Sequence, residues 1–275
     1  MKTLAIVLAL MAFALTSPTL KGAEVFSSYF TSGNFYNEGA SALHASTVHL
    51  SVTFNNGLTT TASGFNYGDG KVVTSKHVLR PAAGVFATSI TINTGPSILN
   101  PLLSVTSVSW ATHPLSTAGL VVDPYDFGVV FADLQGVDTS RFSAITPTVG
   151  SIYSMSGYGD PYIFPGQHQG PAVGRGGWFN RLEGQSGSFP MHNIYTMSLP
   201  AIAVFGEGRA RRGDSGGPTR DPLTGDVTGI HSFEVSNSFG DARALLGAPW
   251  VASVPSPSAA ALFFVGGMVT LRRRR

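Results

Sequence analysis

A serine set among glycines, Gly213-Asp214-Ser215-Gly216-Gly217-Pro218, is where this chain could do chemistry. Two glycines after the serine and one two residues before it suit neither a helix nor a strand interior. They suit a tight backbone turn whose N–H groups point one way. A serine held there can attack a carbonyl carbon while the N–H groups of Gly213 and Ser215 bind the oxyanion that forms. Two partners for the serine lie upstream. Lys71-Val72-Val73-Thr74-Ser75-Lys76-His77 begins as a β-branched run and ends in a histidine. A neutral imidazole there can take the serine proton and return it to a leaving group. Asp126 opens Asp126-Phe127-Gly128-Val129-Val130-Phe131, a carboxylate ahead of an apolar strand. Hydrogen-bonded to the far ring nitrogen, it would fix the tautomer and stabilise the imidazolium.

The elements that must position these residues read as strands. Val48 to Phe54 alternates, with Val48, Leu50, Val52 and Phe54 on one face. Ser63 to Tyr67 and Lys71 to Ser75 flank Gly68-Asp69-Gly70, a hairpin signal. Ser89 to Ile92, Val105 to Trp110 and Phe127 to Phe131 continue a first series. Ile152 to Tyr158, Ile194 to Leu199, Ala201 to Phe205, Asp226 to His231 and Ser232 to Val235 make a second. Helix signals are few: one turn at Pro81 to Val85 and a short helix at Asp241 to Leu246. With 33 Gly and 17 Pro to supply turns, the pattern is all-β, a sandwich or barrel class. Asp138 to Gly150 reads as the linker between the two series.

These residues resemble those of the trypsin/chymotrypsin family of serine proteases. Gly213 to Pro218 matches the family's nucleophile motif residue for residue. Val72-Val73-Thr74-Ser75-Lys76-His77 is similar to Val-Val-Thr-Ala-Ala-His, and Asp126-Phe127-Gly128-Val129 to Asp-Ile-Ala-Leu. Ser156-Gly157-Tyr158-Gly159 resembles the Thr-Gly-Trp-Gly that opens the family's second barrel. Gly229-Ile230-His231-Ser232-Phe233 resembles the Gly-Ile-Val-Ser-Trp strand beside bound substrate. The chain order His, Asp, Ser is also the family's. The resemblance covers about residues 45 to 245 and leans toward bacterial members. It implies two six-stranded antiparallel β-barrels with the site in the cleft between them. It also implies a triad of His77, Asp126 and Ser215, an oxyanion hole at Gly213 and Ser215, and substrate contacts at Ser232 and Phe233. Counting back six from Ser215 puts Arg209 at the family's pocket base, where it could meet acidic side chains. The family's aspartate before the serine pairs with a new amino terminus. No Ile-Val-Gly-Gly stretch is present here, so Arg211, Arg212 or a terminus left by signal cleavage are the candidates for Asp214.

Both ends carry sorting information. Met1 to Ala23 has Lys2, an almost wholly apolar run from Leu4 to Leu15, and small residues that suit cleavage, the pattern of a secretory signal. At the other end, Val254-Pro255-Ser256-Pro257-Ser258 precedes the apolar residues 259–271 and four arginines. As a helix that stretch spans only about 20 Å at 1.5 Å per residue, against a hydrocarbon core of about 30 Å. The tail resembles the PEP-CTERM sorting signal of Gram-negative bacteria, with Ser256 where glutamate is usual. That resemblance implies processing by an exosortase-type enzyme, transient anchoring in the inner membrane, and a final place in the periplasm or at the cell surface. The domain reading is a signal peptide at 1–23, an N-terminal extension with the first barrel at 24–140, the second barrel at 141–250 and the tail at 251–275.

The ends also distort the charge balance. Six of the 17 Lys and Arg lie at positions 2, 21 and 272–275, whereas all 15 Asp and Glu lie between Glu24 and Asp241. The body therefore carries 11 basic against 15 acidic residues, a formal charge of −4. No basic stripe suggests a nucleic-acid partner. With no cysteine, thiolate metal sites and disulfides are excluded, and no histidine spacing suggests a metal or cofactor. His44, His49, His113, His168, His192 and His231 read as structural or surface residues. The expectation is an exported serine endopeptidase acting on protein or peptide substrates. The alternatives are an inactive binding module of the same fold and a structural protein of the surface or biofilm matrix.

Overall fold

The computed structural model describes residues 24–26, 34–117, 119, 122–159, 162–164, 167–168, 174–185, 192–196, 208–210, 212–235 and 238–256. Strand β1 (Glu24–Phe26) and helix α1 (Asn34–Ala40) precede a seven-stranded sheet. Its strands are β2 (Thr47–Phe54), β3 (Thr59–Gly68), β4 (Lys71–Thr74), β5 (Ala87–Thr94), β6 (Leu103–Ser107), β7 (Trp110–Thr112) and β8 (Gly128–Phe131). They run antiparallel in the order β6-β5-β2-β3-β4-β8-β7. Alternation is kept where it was expected: Val48, Leu50, Val52 and Phe54 of β2 are buried with Ile90, Ile92 and Val130. The β3–β4 hairpin turns through Asp69 at φ 53° and Gly70 at φ 69°, as a two-residue mirror-type turn requires.

The stretch expected as one strand from Val105 to Trp110 is broken in two. β6 pairs with β5, whereas β7 pairs with β8. One continuous piece of chain therefore joins the two edges of the sheet and curls it toward a barrel. Ser107 fastens this corner, its Oγ donating to the carbonyl oxygens of Phe131 (2.7 Å) and Ser109 (3.1 Å). A six-stranded first barrel thus becomes seven segments, because the strand that turns the corner cannot keep one straight ladder.

The second half contains β9 (Ile152–Gly157), β10 (Tyr162–Phe164), β11 (Gln167–His168), β12 (Gly176–Gln185), β13 (His192–Thr196), β14 (Gly208–Arg209), β15 (Pro218–Arg220), β16 (Val227–Val235) and β17 (Ser238–Arg243), ending in helix α3 (Ala244–Ser253). Six strands close a barrel in the order β12-β13-β17-β16-β15-β9, while β1, β10, β11 and β14 form a separate small sheet. The barrel core is Tyr153, Met155, Trp178, Leu182, Tyr195 and Phe239, capped by Phe35 of α1. Helix α1, grouped from sequence with the first barrel, therefore belongs physically to the second. A third cluster, with Phe65, Val73, Phe127 and Val129 from one barrel and Val227, Ile230, Ala242 and Val251 from the other half, glues the two together.

Several local expectations are corrected. Pro81 to Val85 forms no helical turn; the turn lies earlier, in helix α2 (Lys76–Leu79), and ends before Pro81. Asp241 to Arg243 is strand, and the terminal helix starts only at Ala244. Asp226 to His231 and Ser232 to Val235, expected as two strands, are one strand with a bulge between His231 and Phe233. Residues 251–253, assigned to the tail, are the last turn of α3, and Val251 is fully buried. The apolar tail, the signal segment and the strand expected at 201–205 lie outside the described residues, among which no helix is long and apolar enough to cross a membrane.

Three histidines are held neutral inside this fold. Burial pushes His44 and His49 each down to about 4 and His231 down to about 3; buried Arg220 adds to the effect at His44 and His231. A histidine depressed in the folded state binds fewer protons than it does unfolded, so its stabilising contribution is complete above about pH 6.5 and is lost below it. Burial raises Asp241 to about 7 and the balance at His77 also lies upward; these two groups act with the opposite sign, against the three buried histidines and His113, which burial lowers as well. The urea midpoint should therefore be lower at about pH 5 than at about pH 7.5. Equal or higher stability at the acid pH would contradict this account of the buried histidines.

Candidate active site

Helix α2 is too short to hold its own orientation, so His77 is fixed from outside. At its N-cap position Ser75 has extended backbone (φ −77°, ψ 145°) but makes no cap bond. Its hydroxyl donates instead to the carbonyl of His231 on the other barrel, at 2.7 Å. The C-terminal limit is Arg80 (φ −144°, ψ 76°), which as the residue before proline is disfavoured in helical backbone. The decisive tie is Asp126, just ahead of β8. Its carboxylate, 2% exposed, accepts the His77 backbone N–H at 2.9 Å, His77 Nδ1 at 2.7 Å and the Ser232 hydroxyl at 2.6 Å. With Nδ1 donating to a carboxylate, Nε2 is left as the basic nitrogen.

Burial alone would push the His77 pKa down. The charge of Asp126 and its hydrogen bond to the ring oppose this; Lys76 lowers the pKa and Asp123 raises it, and the balance lies above the usual 6.5. Lys76, one residue away, is itself buried, 3.6 Å from Asp123 and donating to the Thr117 carbonyl.

The Ser215 loop is shaped by its glycines and by the barrel opposite. Gly213 has φ +99° and Gly216 φ +81°, values that favour glycine. A Cβ on Gly216 would overlap Thr74 Oγ1 and come within 2.5 Å of the Ser63 carbonyl oxygen. The loop thus lies directly on β3 and β4. Ser63 clamps it from the first barrel: its N–H donates to the Ser215 carbonyl (2.9 Å), and its hydroxyl donates to the Gly213 carbonyl (2.8 Å) while accepting the Tyr158 N–H (2.8 Å). The backbone N–H groups of Gly213 and Ser215 have no hydrogen-bond partner among the described residues. Asp214 is fully buried and accepts the Gly159 N–H at 2.8 Å. A Cβ on Gly159 would lie 2.7 Å from both its carboxylate oxygens, and one on Gly157 closer still. The Ser156-Gly157-Tyr158-Gly159 glycines are therefore the bed of Asp214. Arg212 is exposed, and Arg211 lies outside the described residues.

A cavity of about 590 Å³ opens between the barrels, lined by His77, Gly213, Ser215, His231, Ser232 and Phe233 among others. Of the residues singled out from sequence, His77, Gly213, Ser215, Ser232 and Phe233 meet around one space, with Asp126 behind His77. Ser232, expected as a substrate contact, spends its hydroxyl on Asp126. Arg209 lies in β14 opposite Glu24 of β1, and its side chain is outside the described residues. Sequence reasoning missed His231. It is 2% exposed, lines the cavity, bonds the Asp214 carbonyl through Nδ1 at 3.1 Å and leaves Nε2 with no partner among the described residues. The bulge in β16 makes Ser232 the unpaired extra residue, so both side chains are turned inward where alternation would separate them.

No protein-family model matches the sequence, and no curated protein matches it either. Solved structures do match. The chain is similar to the protease Anisep of Arthrobacter nicotinovorans (15% identity over 76% of this chain and 96% of that one, TM-score 0.56). It is similar to a Glu endopeptidase solved with MPD (16% identity, 84% and 96% coverage, TM-score 0.57) and to HL collagenase (14%, 75% and 91%, TM-score 0.55). At these identities the likeness is one of fold. The fold is the chymotrypsin-like double barrel, that of trypsin-like serine proteases.

The His77–Asp126 pair has a direct readout. Imidazole resonances of His77 should titrate with a midpoint above about 6.5. In Asp126→Asn the opposing charge is gone and burial remains, so the midpoint should fall below that of the wild type. An unchanged midpoint in the variant would show that Asp126 does not set the ring's basicity.

Proposed function

We propose that the protein is an exported serine endopeptidase that cleaves peptide bonds through an acyl-enzyme on Ser215. One observation carries the reading: a histidine anchored through Nδ1 on a buried carboxylate shares a cavity with Ser215 and with two unpaired backbone N–H groups. Ser215 Oγ would attack the scissile carbonyl carbon, passing its proton to His77 Nε2. The oxyanion would be held by the Gly213 and Ser215 N–H groups. His77 would then protonate the departing amine, and a water molecule activated by the same nitrogen would release the acid. Side chains and water suffice for every step. The names of solved structures with this fold, a protease, a Glu endopeptidase and a collagenase, support the same class.

An acidic side chain before the cut suits the second-barrel wall. Behind His231 lies Arg220, fully buried, with no carboxylate in salt-bridge range among the described residues. Among the described residues it bonds His44 Nδ1 and the hydroxyls of Ser46 and Ser156. A buried cation without a counter-ion favours an incoming anion. A substrate carboxylate at His231 Nε2 would supply that charge and share a proton with the ring. In this reading His231, in place of Arg209, is the residue that meets the acid.

Ser215→Ala should keep the fold and lose about 10³-fold or more in peptide turnover, along with labelling by a fluorophosphonate. Wild-type protein that takes no label and cleaves nothing would instead mark an inactive module of this fold. In the active enzyme, kcat/KM should be about tenfold or more higher for peptides cleaved after Glu than after Gln, by the roughly 1.4 kcal/mol or more of a charge-assisted contact; equal values would remove the acid preference and leave the protease.

Export follows from the ends of the sequence. Removal of the first 23 residues and processing near Pro257 by an exosortase-type membrane enzyme would deliver the catalytic body to the periplasm or surface. Until then the four C-terminal arginines would hold the tail at the inner membrane with its end in the cytoplasm. Mass spectrometry of protein from its native host should find a species lacking both ends; one still ending in Arg275 would make the tail a plain anchor.

A further inference from the structure

The cavity runs past Ser215 over the first barrel, and there its wall changes character. Phe54, Leu58, Val78, Pro81, Ala82 and Val85 line it, and the start of β3 completes it. Leu58 is 65% exposed. An exposed leucine is ordinary by itself, but this one stands on a locked frame. The Asn55 side chain ties the tip of the β2–β3 hairpin to the loop 81–86: Nδ2 donates to the Gly84 carbonyl (2.8 Å) and Oδ1 accepts the Phe86 N–H (3.2 Å). Its backbone N–H donates to the Phe86 carbonyl at 3.0 Å. Within the hairpin, Phe54 N–H donates to the Leu58 carbonyl (2.9 Å), and Leu58 N–H to Asn56 Oδ1 (3.1 Å). Val85 N–H donates to the Ala82 carbonyl at 3.2 Å. The apolar side chains are therefore held apart in a preformed groove, with little ordering left to oppose a ligand.

Chemistry says which part of a substrate meets it. This step rests on the protease reading above. The proton that His77 receives goes to the leaving amine, so the chain beyond the cut must lie on the His77 side of Ser215. The apolar wall belongs wholly to the barrel that carries His77, and Val78 is the next residue. The opposite wall, with Ala210, Phe233 and Glu234, belongs to the barrel that carries Ser215. We infer that the groove between Leu58 and Val85 binds the first residue after the scissile bond and selects an aliphatic or aromatic side chain there. Burial of such a side chain against Leu58, Val85 and Phe54 supplies the selectivity, and Asn55 acts as the positioning residue.

Partitioning of the acyl-enzyme isolates this side of the site. A single ester substrate forms the acyl-enzyme, and amino-acid amides then compete with water for it from the leaving side. Leucinamide and phenylalaninamide should capture the acyl group about tenfold or more better than glycinamide or serinamide. Leu58→Ser and Val85→Ser should each shrink that ratio, whereas Leu223→Ser, which alters a still more exposed leucine outside the cavity, should leave it and ester hydrolysis unchanged. Asn55→Ala should shrink the ratio as well, with the ester KM unmoved. Acylation with equal capture of all four amides would overturn the groove and spare the protease. Absence of acylation in the wild type would overturn both.

Discussion

The Asp126 carboxylate is the group on which the rest of the site depends. Burying an ionised carboxylate costs several kcal/mol unless its lone pairs are taken. Here three donors take them, two from His77 and one from Ser232. The first two fix a histidine on a four-residue helix that has no cap bond of its own. The third comes from the other barrel. One charge thus orients the base and ties the halves together, and no rearrangement that separates the barrels leaves it satisfied.

Ser63 plays the matching part for the Ser215 loop. Its N–H and hydroxyl reach across to the Ser215 loop, and Thr74 in turn donates to the Ser63 carbonyl at 2.7 Å. The glycines at 213 and 216 are required by positive φ and by the closeness of β3 and β4. Underneath, Phe142 from the segment joining the barrels meets Phe65 and Phe127 edge-on, at 5.5 and 6.0 Å between ring centroids. Apolar burial brings the barrels together, and the short hydrogen bonds above it set their register.

The N-terminal segment instead supplies acceptors for two buried cations of the second half. Arg175 donates to carbonyls of Gly39, Ala45 and Thr47, and Arg220 to Ser46 Oγ and His44. Burial lowers the pKa of both, Arg220 to about 9, which still leaves Arg220 charged at neutral pH. Helix α1 completes this layer by lying on β12 so closely that a Cβ on Gly177 would come 2.6 Å from Gly39 N. His231 sits at the inner end of the same network, where it opens into the cavity. The residues before β2 therefore help to set the electrostatics of the wall beside Ser215.

The sequence alone determined the class of fold and named the residues on which the proposed chemistry rests. Ser215, His77 and Asp126 were legible because a nucleophile turn needs glycines and a buried base needs apolar neighbours, both of which are local demands. The alternation of β2 and the turn at Asp69-Gly70 were legible for the same reason. What only the tertiary structure decided is where demands are not local. β12 was unreadable because Gly176 and Gly177 serve the approach of α1 and Phe35, not a turn, and they erase the period-two pattern. Ser75 stands at the N-cap position of α2, yet spends its hydroxyl on His231 across the barrels. Ser232 and His231 both face inward because a bulge breaks the strand between them and Phe233, and a bulge leaves no mark in composition. Residue types fix which reaction is possible; the contacts between the barrels fix which side chains stand around it.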